Sequence, residues 1–365
     1  MFNQPTTTTT TTTTPAKTTT TSSSAVRTTT TKKSSTTTSP ARTTTTTPAK
    51  TTTTTTTTTT TVATSTPTIQ PGHWPAKLFA PYVDLGVWPP FDIVTEQKNT
   101  GVNYYTFAFV TSSGGAPSVA GYPLSQNWFV STLQQIRANG GDAIISFGGA
   151  AGTELGDAIT DATSLQAAYQ SVINAYNATY IDFDIEGAAV SHTANIDRRN
   201  SVLAALQKAN PGLKISYTLP VLPSGLVSTG VYIIQSAAKA GVVLDSINIM
   251  TMDYGSSAAP NGATGMGGYA ISAAQNTYSQ AISAGYPSPY ITLCPMIGIN
   301  DSTDEIFTLD NANQITTFVK TTSWANGIRM WSANRDQNSG SSTDTSSGVT
   351  QNPFDFAKTF NTIEA

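Results

Sequence analysis

A β-rich run followed by a helical pattern recurs eight times in this chain after about residue 71. Neighbouring parallel strands need a long crossover connection, so this alternation is typical of a parallel sheet whose strands are joined by helices. Eight regular repeats favour a closed α/β architecture, the (β/α)8 TIM barrel, over the alternative of a doubly wound open sheet. The eight candidate strands are 77–84, 103–110, 142–149, 179–186, 213–220, 246–253, 289–298 and 327–336.

The segments between the strands carry the periodicity of amphipathic helices. In the segment 125–140, Leu133 and Ile136 share a helical face with Trp128, and Gly140 predicts the end of the helix. The predicted helical segments are 90–101, 125–140, 164–177, 195–212, 230–241, 268–285, 311–327 and 352–365.

Residues 1–70 differ in composition from the rest of the 365-residue chain. They are mostly Thr, with some Ser, Pro, Ala and basic residues, and contain almost nothing apolar that a fold could bury. Ordering such a segment would cost about 1–2 kcal/mol per residue without a compensating gain. We therefore predict a disordered Thr/Ser/Pro-rich linker or stalk over 1–70, of a composition typical of O-glycosylated stalks, followed by one barrel domain over 71–365.

Charge separates the two parts of the chain and excludes some partners. The segment 1–70 holds six basic residues and no acids, whereas 71–365 holds 12 basic and 21 acidic residues. An acidic domain binds nucleic acid and anionic membranes poorly, so we expect neither as a partner. No apolar run is long enough to span a membrane, and the amino terminus lacks the apolar core of a signal peptide.

Cysteine and histidine are too scarce for the usual metal sites. Cys294 is the only cysteine, so no internal disulfide and no cysteine-based metal site can form. His73 and His192 are the only histidines, too few for a histidine-rich metal centre. We expect neither a metal nor a cofactor.

Three acids at alternate positions of the fourth candidate strand are the strongest functional signal. Alternate side chains of a strand share a face, so Asp182, Asp184 and Glu186 point one way, about 6–7 Å apart, and the apolar residues between them point the other way. In a barrel, the apolar set would pack on the helices. The acids would line the lumen and climb to the C-terminal rim, where such barrels place their chemistry.

Neighbouring carboxylates in a partly dry site cannot all ionise without a large energetic cost. Repulsion and desolvation raise the pKa of at least one of them, which keeps a carboxylic acid protonated near neutral pH, as a general acid requires. The alternative is a structural row of carboxylates that is satisfied by Arg or Lys inside the barrel.

The stretch TYIDFDIEG resembles the signature of glycoside hydrolase family 18, the chitinases, which reads Asp, two residues, Asp-x-Asp-x-Glu. The match covers Asp182, Asp184 and Glu186, whereas Thr179 replaces the first acid of the signature. The resemblance implies a TIM barrel that hydrolyses β-1,4 bonds in chitin and N-acetyl-chitooligosaccharides, which would be its partners.

Segments on other candidate strands resemble the same family. Ser146, Gly148 and Gly149 in SFGG match its Ser-x-Gly-Gly at the end of the third strand, where glycines would let the backbone approach the acids closely. Tyr82 opens the first strand as a possible sugar contact. Trp331 lies at the eighth strand, where the family has a tryptophan beneath the sugar.

The sixth strand matches the family with an altered order. The family has Met-x-Tyr-Asp there, whereas in this chain Met252 occupies the tyrosine position and Tyr254 follows Asp253. The resemblance implies that this segment binds substrate, and it leaves open whether Asp253 or Tyr254 contacts the acetamido group.

The mechanism that the resemblance implies is retaining and substrate-assisted. Glu186 would protonate the leaving glycosidic oxygen, and the 2-acetamido oxygen of the substrate would attack the anomeric carbon. Asp184 would hold the acetamido N–H and stabilise the developing positive charge, while Asp182 would share a proton with Asp184. Neither metal nor nucleotide takes part in this chemistry.

Two other functions stay open at this level. Endo-β-N-acetylglucosaminidases, which act on N-glycan cores, share this barrel and this acid pattern. A non-catalytic chitinase-like lectin is the third reading, although such lectins typically lack the terminal glutamate that is Glu186 here. We expect a secreted monomer, even though the chain shows no signal peptide.

Overall fold

The structure is a computed structural model that describes residues 74–340 and 342–364. The predicted disorder of residues 1–70 lies outside the described residues, and the domain boundary at residue 71 stays a prediction. The described strands are β1 (Leu78–Phe79), β2 (Tyr82–Asp84), β3 (Tyr104–Ser113), β4 (Ala116–Val119), β5 (Tyr122–Pro123), β6 (Asp142–Gly148), β7 (Tyr180–Asp184), β8 (Lys214–Leu222), β9 (Gly225–Leu226), β10 (Ser246–Met250), β11 (Ile291–Cys294), β12 (Gly298–Ile299), β13 (Ile306–Phe307) and β14 (Ala325–Ile328).

Eight parallel strands close into a ring, with β1 and β2 as two halves of the first strand. The order around the ring is β2, β3, β6, β7, β8, β10, β11, β14 and β1. Closure depends on the first strand, because β1 pairs with β14 on one side and β2 pairs with β3 on the other. The predicted TIM barrel is therefore confirmed, and each of the eight candidate strands overlaps a strand of the ring.

Helices on the outside of the ring follow the predicted segments. They are α1 (Ile93–Thr100), α2 (Val130–Ala138), α3 (Leu155–Ala158), α4 (Ala162–Tyr176), α5 (Thr193–Ala209), α6 (Ser228–Ala240), α7 (Gly262–Ser283), α8 (Leu309–Thr321) and α9 (Asp355–Asn361). Only the short α3 falls outside every predicted segment. In this described part of the chain, no helix is long and apolar enough to cross a membrane.

The outer face of β7 packs on the helices, as the alternation of its residues predicts. The Phe183 ring stacks on Phe147 of β6 with the ring centroids 5.1 Å apart, and Tyr169 of α4 meets Phe183 edge-on at 5.2 Å. Burial of each large apolar side chain stabilises the fold by about 1.5–3 kcal/mol. With Ile181 and Phe183 facing outward, Asp182 and Asp184 face the lumen.

Short antiparallel pieces, none of them predicted, extend the C-terminal ends of the barrel strands. Strands β4 and β5 continue from β3, β9 folds back on β8, and β12 pairs with β13 between β11 and α8. The last barrel strand also differs from its prediction, because β14 ends at Ile328 and the chain then runs irregularly past Trp331, which bridges to Met296. These segments build the rim above the acids.

Candidate active site

Asp182 is fully buried at the centre of a hydrogen-bond network inside the barrel. Its two carboxylate oxygens accept hydrogen bonds from side chains on four different strands or strand ends. The donors are Tyr82 Oη (3.0 Å), Ser146 Oγ (2.8 Å), Ser216 Oγ (2.5 Å), Thr218 Oγ1 (2.9 and 3.0 Å) and Arg329 Nη1 (2.9 Å). A carboxylate offers about four acceptor positions, so these donors fill the acceptor capacity of Asp182.

No hydrogen bond joins Asp182 to Asp184 among the described residues, so the sharing of a proton between them stays a prediction. Among the described residues, the hydrogen bonds of Asp182 go to neutral hydroxyls and to Arg329, and none goes to Asp184. The alternative of a carboxylate satisfied by an internal cation therefore holds for Asp182. It does not hold for the two acids that follow.

Asp184 ends β7 directly above Asp182 and faces an open cleft. Its side chain is only 5% exposed, and its Oδ1 has no hydrogen-bond partner within 74–340 and 342–364. Burial raises the pKa of Asp184 well above its usual range, the charges of Glu186 and Asp182 raise it further, and Arg329 offsets part of the rise.

Glu186 lies two residues beyond Asp184 and is half-buried in the wall of the same cleft. Burial raises the pKa of Glu186, and the nearby carboxylate of Asp253 raises it further. The raised pKa that the crowded acids predict is thus found at both Asp184 and Glu186. Both carboxyl groups therefore hold their protons at higher pH than exposed carboxyl groups do.

The cleft above these acids has a volume of about 320 Å³ and an aromatic floor. The Trp331 ring stacks on Phe109 with the centroids 5.7 Å apart and the planes 17° apart, and Tyr82 lies 5.8 Å from Trp331. Trp331 is half-exposed to the cleft. A flat, partly exposed ring of this kind offers an apolar surface with a polar surround, which suits the C–H face of a sugar.

The structure brings about half of the predicted site residues to the cleft. Six of them line it: Tyr82, Asp184, Glu186, Met252, Asp253 and Trp331. Five others are not among the residues that line it: Ser146, Gly148, Gly149, Asp182 and Tyr254. These five residues pack against or bond to residues near the cleft, but they do not line it.

The SFGG segment supports the acids through close packing. Ser146 donates to Asp182, and a Cβ added at Gly148 would lie 2.1 Å from the carbonyl oxygen of Asp184. A Cβ at Gly149 would lie 2.6 Å from the Phe109 ring. Gly148 therefore lets the backbone approach the acid strand closely, and a contact of the three residues with substrate stays a prediction.

Asp253 and Tyr254 point to different environments. Asp253 adopts a left-handed backbone conformation, with φ of 50°, and its Oδ1 accepts from the Ser302 N–H at 2.7 Å beside the cleft. Tyr254 is 5% exposed and packs edge-on against Tyr269 of α7, with the centroids 6.3 Å apart. Tyr254 is therefore a core residue, which corrects its prediction as a substrate contact and leaves Asp253 as the candidate.

Several cleft residues had not been predicted. Besides Phe109, the rim contributes Asp301, Asp344 and Arg335. The buried Arg335 donates to the carbonyls of Ile297 (3.1 Å), Ile299 (2.5 Å) and Thr343, which ties together the two loops that carry Asp301 and Asp344. Its position four residues after Trp331 was the only sequence signal for Arg335.

The site offers no ligand set for a metal. Among the residues that the structure describes, no group of three or more His, Cys, Asp and Glu side chains could hold a metal ion. Cys294 is buried beneath the cleft beside Tyr82 and Ala108. The chemistry available here is that of carboxyl groups, an aromatic floor and fixed hydrogen-bond donors.

Two sequence relatives align with the chain. They are the "Probable bifunctional chitinase/lysozyme" of Escherichia coli (strain K12), 33% identical over 261 residues, and "Endochitinase 11" of Metarhizium anisopliae, 33% identical over 258 residues. Each alignment covers 66% of this chain, but only 29% of the bacterial protein and 49% of the fungal one. The chain thus spans less than half the length of either relative. No protein-family model matches it.

Solved structures extend the similarity over the whole barrel. The catalytic domain of the hyperthermophilic chitinase from Pyrococcus furiosus is 33% identical, with a TM-score of 0.71, and the match covers 80% of this chain and 96% of that domain. Catalytic-site mutants of active domain 2 of the thermostable chitinase from Pyrococcus furiosus, complexed with chito-oligosaccharides, match with a TM-score of 0.72 at 32% identity.

Proposed function

Because this chain belongs to glycoside hydrolase family 18, the chitinases, we propose that it hydrolyses the β-1,4 bonds of chitin and N-acetyl-chitooligosaccharides. The observation that carries the proposal is the pair formed by Asp184 and Glu186, two carboxyl groups with raised pKa values that open into a cleft with an aromatic floor. The chitinases that resemble the chain, one of them complexed with chito-oligosaccharides, support the same substrate.

Glu186 acts as the general acid in this proposal. Burial and the charge of Asp253 raise the pKa of its carboxyl group, which favours the protonated form that a general acid needs, and the group lines the cleft where a glycosidic oxygen can approach. As the bond between the anomeric carbon and that oxygen breaks, the oxygen takes the proton from Glu186.

Asp184 binds the acetamido group of the sugar whose glycosidic bond is cleaved. Its unpartnered Oδ1 accepts the acetamido N–H, which orients the acetamido oxygen for attack on the anomeric carbon. The carboxylate also stabilises the positive charge of the cyclic oxazolinium intermediate. Water then attacks the same carbon, Glu186 takes a proton from the water, and the bond to the acetamido oxygen breaks with net retention of configuration.

Asp182 acts through position in this scheme. Its hydrogen bonds to Tyr82, Ser216 and Arg329 hold Asp182, and with it the end of β7 that carries Asp184, in a fixed position. Trp331 supports the sugar ring from below, and Met252 and Asp253 line the wall beside it. We therefore assign the proton transfer to Glu186, the acetamido contact to Asp184 and a structural role to Asp182.

Replacement of the general acid tests the proposal. Glu186→Gln removes the proton donor with little change in shape, so kcat on a fluorogenic chitotrioside should fall by about 10²–10⁴-fold, while circular dichroism and oligosaccharide binding are retained. Glu364→Gln is the matched control, because this half-buried glutamate accepts from the Phe79 N–H at the opposite end of the barrel. Near-native turnover by Glu186→Gln would refute the assignment.

Product analysis tests the mechanism and the substrate separately. A substrate-assisted reaction yields the β-anomer first, which NMR resolves at early times, and initial α-anomer would exclude retention. Release of glycans from a high-mannose glycoprotein with chitin left intact would instead identify an endo-β-N-acetylglucosaminidase. Binding of chito-oligosaccharides by the wild type without any turnover would identify a lectin.

Location and oligomeric state complete the proposal. The Thr-rich composition of residues 1–70 supports a secreted protein whose barrel is carried on a spacer. Detection of the protein in the culture medium of its source tests this location. We also propose a monomer, which light scattering after size-exclusion chromatography checks.

A further inference from the structure

The wall of the cleft carries an excess of negative charge beyond the acids that the mechanism uses. Five carboxylates line the cleft, namely Asp184, Glu186, Asp253, Asp301 and Asp344, against one guanidinium, that of Arg335. The Nη groups of Arg335 donate hydrogen bonds to carbonyl oxygens of the rim loops. Within the described residues Arg335 forms no ion pair with any of these carboxylates. Burial lowers the pKa of Arg335 and the charges of Asp301, Asp344 and Asp253 raise it, so this one cation offsets only part of the negative charge of five acids.

Asp301 and Asp344 are the two carboxylates of this wall that the proposed mechanism leaves without a role. Both are exposed, and neither makes a hydrogen bond or an ion pair with the residues that the structure describes. Asp344 also lines a neighbouring cavity of about 490 Å³, together with Asp84 and the 79% exposed ring of Trp88. The acidic wall therefore continues from the cleft into a second, aromatic-sided cavity.

Two buried groups indicate that the cleft is built for a polar ligand. Asp184 Oδ1 and Arg335 Nε have no hydrogen-bond partner among the described residues, although both side chains are at least nine-tenths buried and line the cleft. Buried polar groups are normally satisfied, so a ligand would supply the missing partners. The surrounding carboxylates favour a ligand that carries positive charge.

We propose that Asp301 and Asp344 are specificity-determining residues that favour partially deacetylated chitin, in which some sugar units carry a free 2-ammonium group. This inference rests on the proposed function. The unit whose acetamido group attacks the anomeric carbon must stay acetylated. The ammonium groups therefore lie on neighbouring units, where Asp301 and Asp344, and Asp84 in the second cavity, face them.

The test compares two substrates in one assay. Wild type and the double variant Asp301→Asn/Asp344→Asn are each assayed on fully acetylated chitohexaose and on chitosan that is about half acetylated, and scored by the ratio of kcat/KM for chitosan to kcat/KM for the hexamer. Exposed charge pairs contribute modestly, so we expect the double variant to lower this ratio by about threefold to tenfold. Asp310→Asn, an exposed acid of α8 outside the cleft lining, should leave the ratio unchanged.

Salt provides a second readout that needs no variant. Between about 0.1 M and 1 M NaCl the Debye length falls from about 10 Å to about 3 Å, so the wild-type ratio should fall, and it should fall more than the ratio of the double variant, which keeps only Asp84 of the three carboxylates assigned to the ammonium groups. An equal ratio for wild type and double variant at low salt would overturn the inference. Failure of the wild type to cleave the acetylated hexamer would overturn the proposed function itself, so the two failures are distinguishable.

Discussion

Arg329 and Asp182 form an ion pair inside the barrel, with Nη1 of Arg329 2.9 Å from Oδ1 of Asp182 and both side chains almost fully buried. The same guanidinium donates to Tyr180 and Ser216, each at 3.0 Å. The pair joins Arg329, the first residue after β14, to β7, the strand that leads into the proposed catalytic acids. Its removal should therefore affect both stability and the acids above it.

Arg329→Met should lower the free energy of unfolding by about 3–5 kcal/mol, because it leaves Asp182 buried without its cation. Urea denaturation followed by circular dichroism measures the change. A double variant, Arg329→Met/Asp182→Asn, should recover part of the loss, since the uncompensated charge is gone.

Lys214→Met is the matched control for this prediction. Lys214 pairs with Asp245 at 2.5 Å, but the two side chains are 35% and 24% exposed, so its loss should cost only about 0–1 kcal/mol. An equal loss in the free energy of unfolding for Arg329→Met and Lys214→Met would show that the buried pair contributes no more to stability than the exposed one.

Asp253 is expected to set the pH range over which Glu186 stays protonated. The carboxylate of Asp253 raises the pKa of Glu186, because a second negative charge nearby disfavours ionisation. Asp253→Asn removes that charge, so the pKa of Glu186 should fall and the general acid should lose its proton at lower pH. The basic limb of the pH profile of kcat/KM should move toward acid, which fluorogenic assays at a series of pH values will measure.

Asparagine is a mild replacement at this position. It tolerates the left-handed backbone of residue 253, and its side-chain oxygen can still accept from the Ser302 N–H. Asp197→Asn, at an exposed acid of α5 that binds Tyr232 and Ser236, is the control and should leave the profile unchanged. A basic limb that stays in place in Asp253→Asn would disprove the electrostatic coupling.

The barrel could be predicted from the sequence because its signal is local and repeated. Strand and helix periodicities can be read within short windows, and eight copies reinforce each other. The orientation of β7 followed from alternation alone, so the lumen positions of Asp182 and Asp184 were also predictable. The end of β14 was not, because Trp331 leaves the barrel pattern to reach Met296 on the neighbouring strand's loop.

The different roles of the three acids could not be predicted from the sequence in the same way. In the sequence, Asp182 and Asp184 are equivalent members of one row. The structure separates them through Arg329, which lies 147 residues after Asp182 and donates a hydrogen bond to Asp182. Such a contact depends on ring closure and side-chain reach, which local patterns do not contain.

The choice between Asp253 and Tyr254 depended on one backbone angle. Asp253 adopts a left-handed conformation, which Gly adopts readily and Asp much less often, so the sequence did not signal the local turn that separates the two side chains. Asp301 and Asp344 were missed for a related reason. They lie in rim loops whose meeting point is fixed by Arg335, a residue distant from Asp301 in the sequence.

Glu96 of α1 is a buried acid remote from the cleft lining, and it should weaken the fold at neutral pH. Its side chain is 0% exposed, and within the described part of the chain neither oxygen has a hydrogen-bond partner. Burial raises the pKa of Glu96 well above its usual range, and the buried carboxyl of Asp336 raises it further. The Tyr105 hydroxyl lies close enough to Glu96 to offset part of this rise, although its hydrogen bond goes to the Val102 carbonyl at 3.1 Å.

The sign of the effect on stability follows from where the proton is held. Below the pKa of an unfolded glutamate, about 4.3, Glu96 is protonated in both states and has no pH-dependent effect. As pH rises from that value toward the raised pKa of the folded state, the unfolded chain releases the proton first, so the stability of the wild type falls. Glu96→Gln does not titrate. Its advantage over the wild type in free energy of unfolding should therefore grow from about pH 4 upward.

A second buried glutamate provides the contrast that this prediction needs. Glu154 accepts from Arg199 Nε at 2.8 Å and from Tyr169 Oη at 2.6 Å, so Glu154→Gln should destabilise the fold at neutral pH, where Glu96→Gln stabilises it. Urea denaturation of the three proteins at pH 4.5 and about pH 7.5 measures both effects. If Glu96→Gln were no more stable than the wild type at the higher pH, the carboxyl of Glu96 would have to be satisfied by a partner such as a buried water, and the argument from burial would fail.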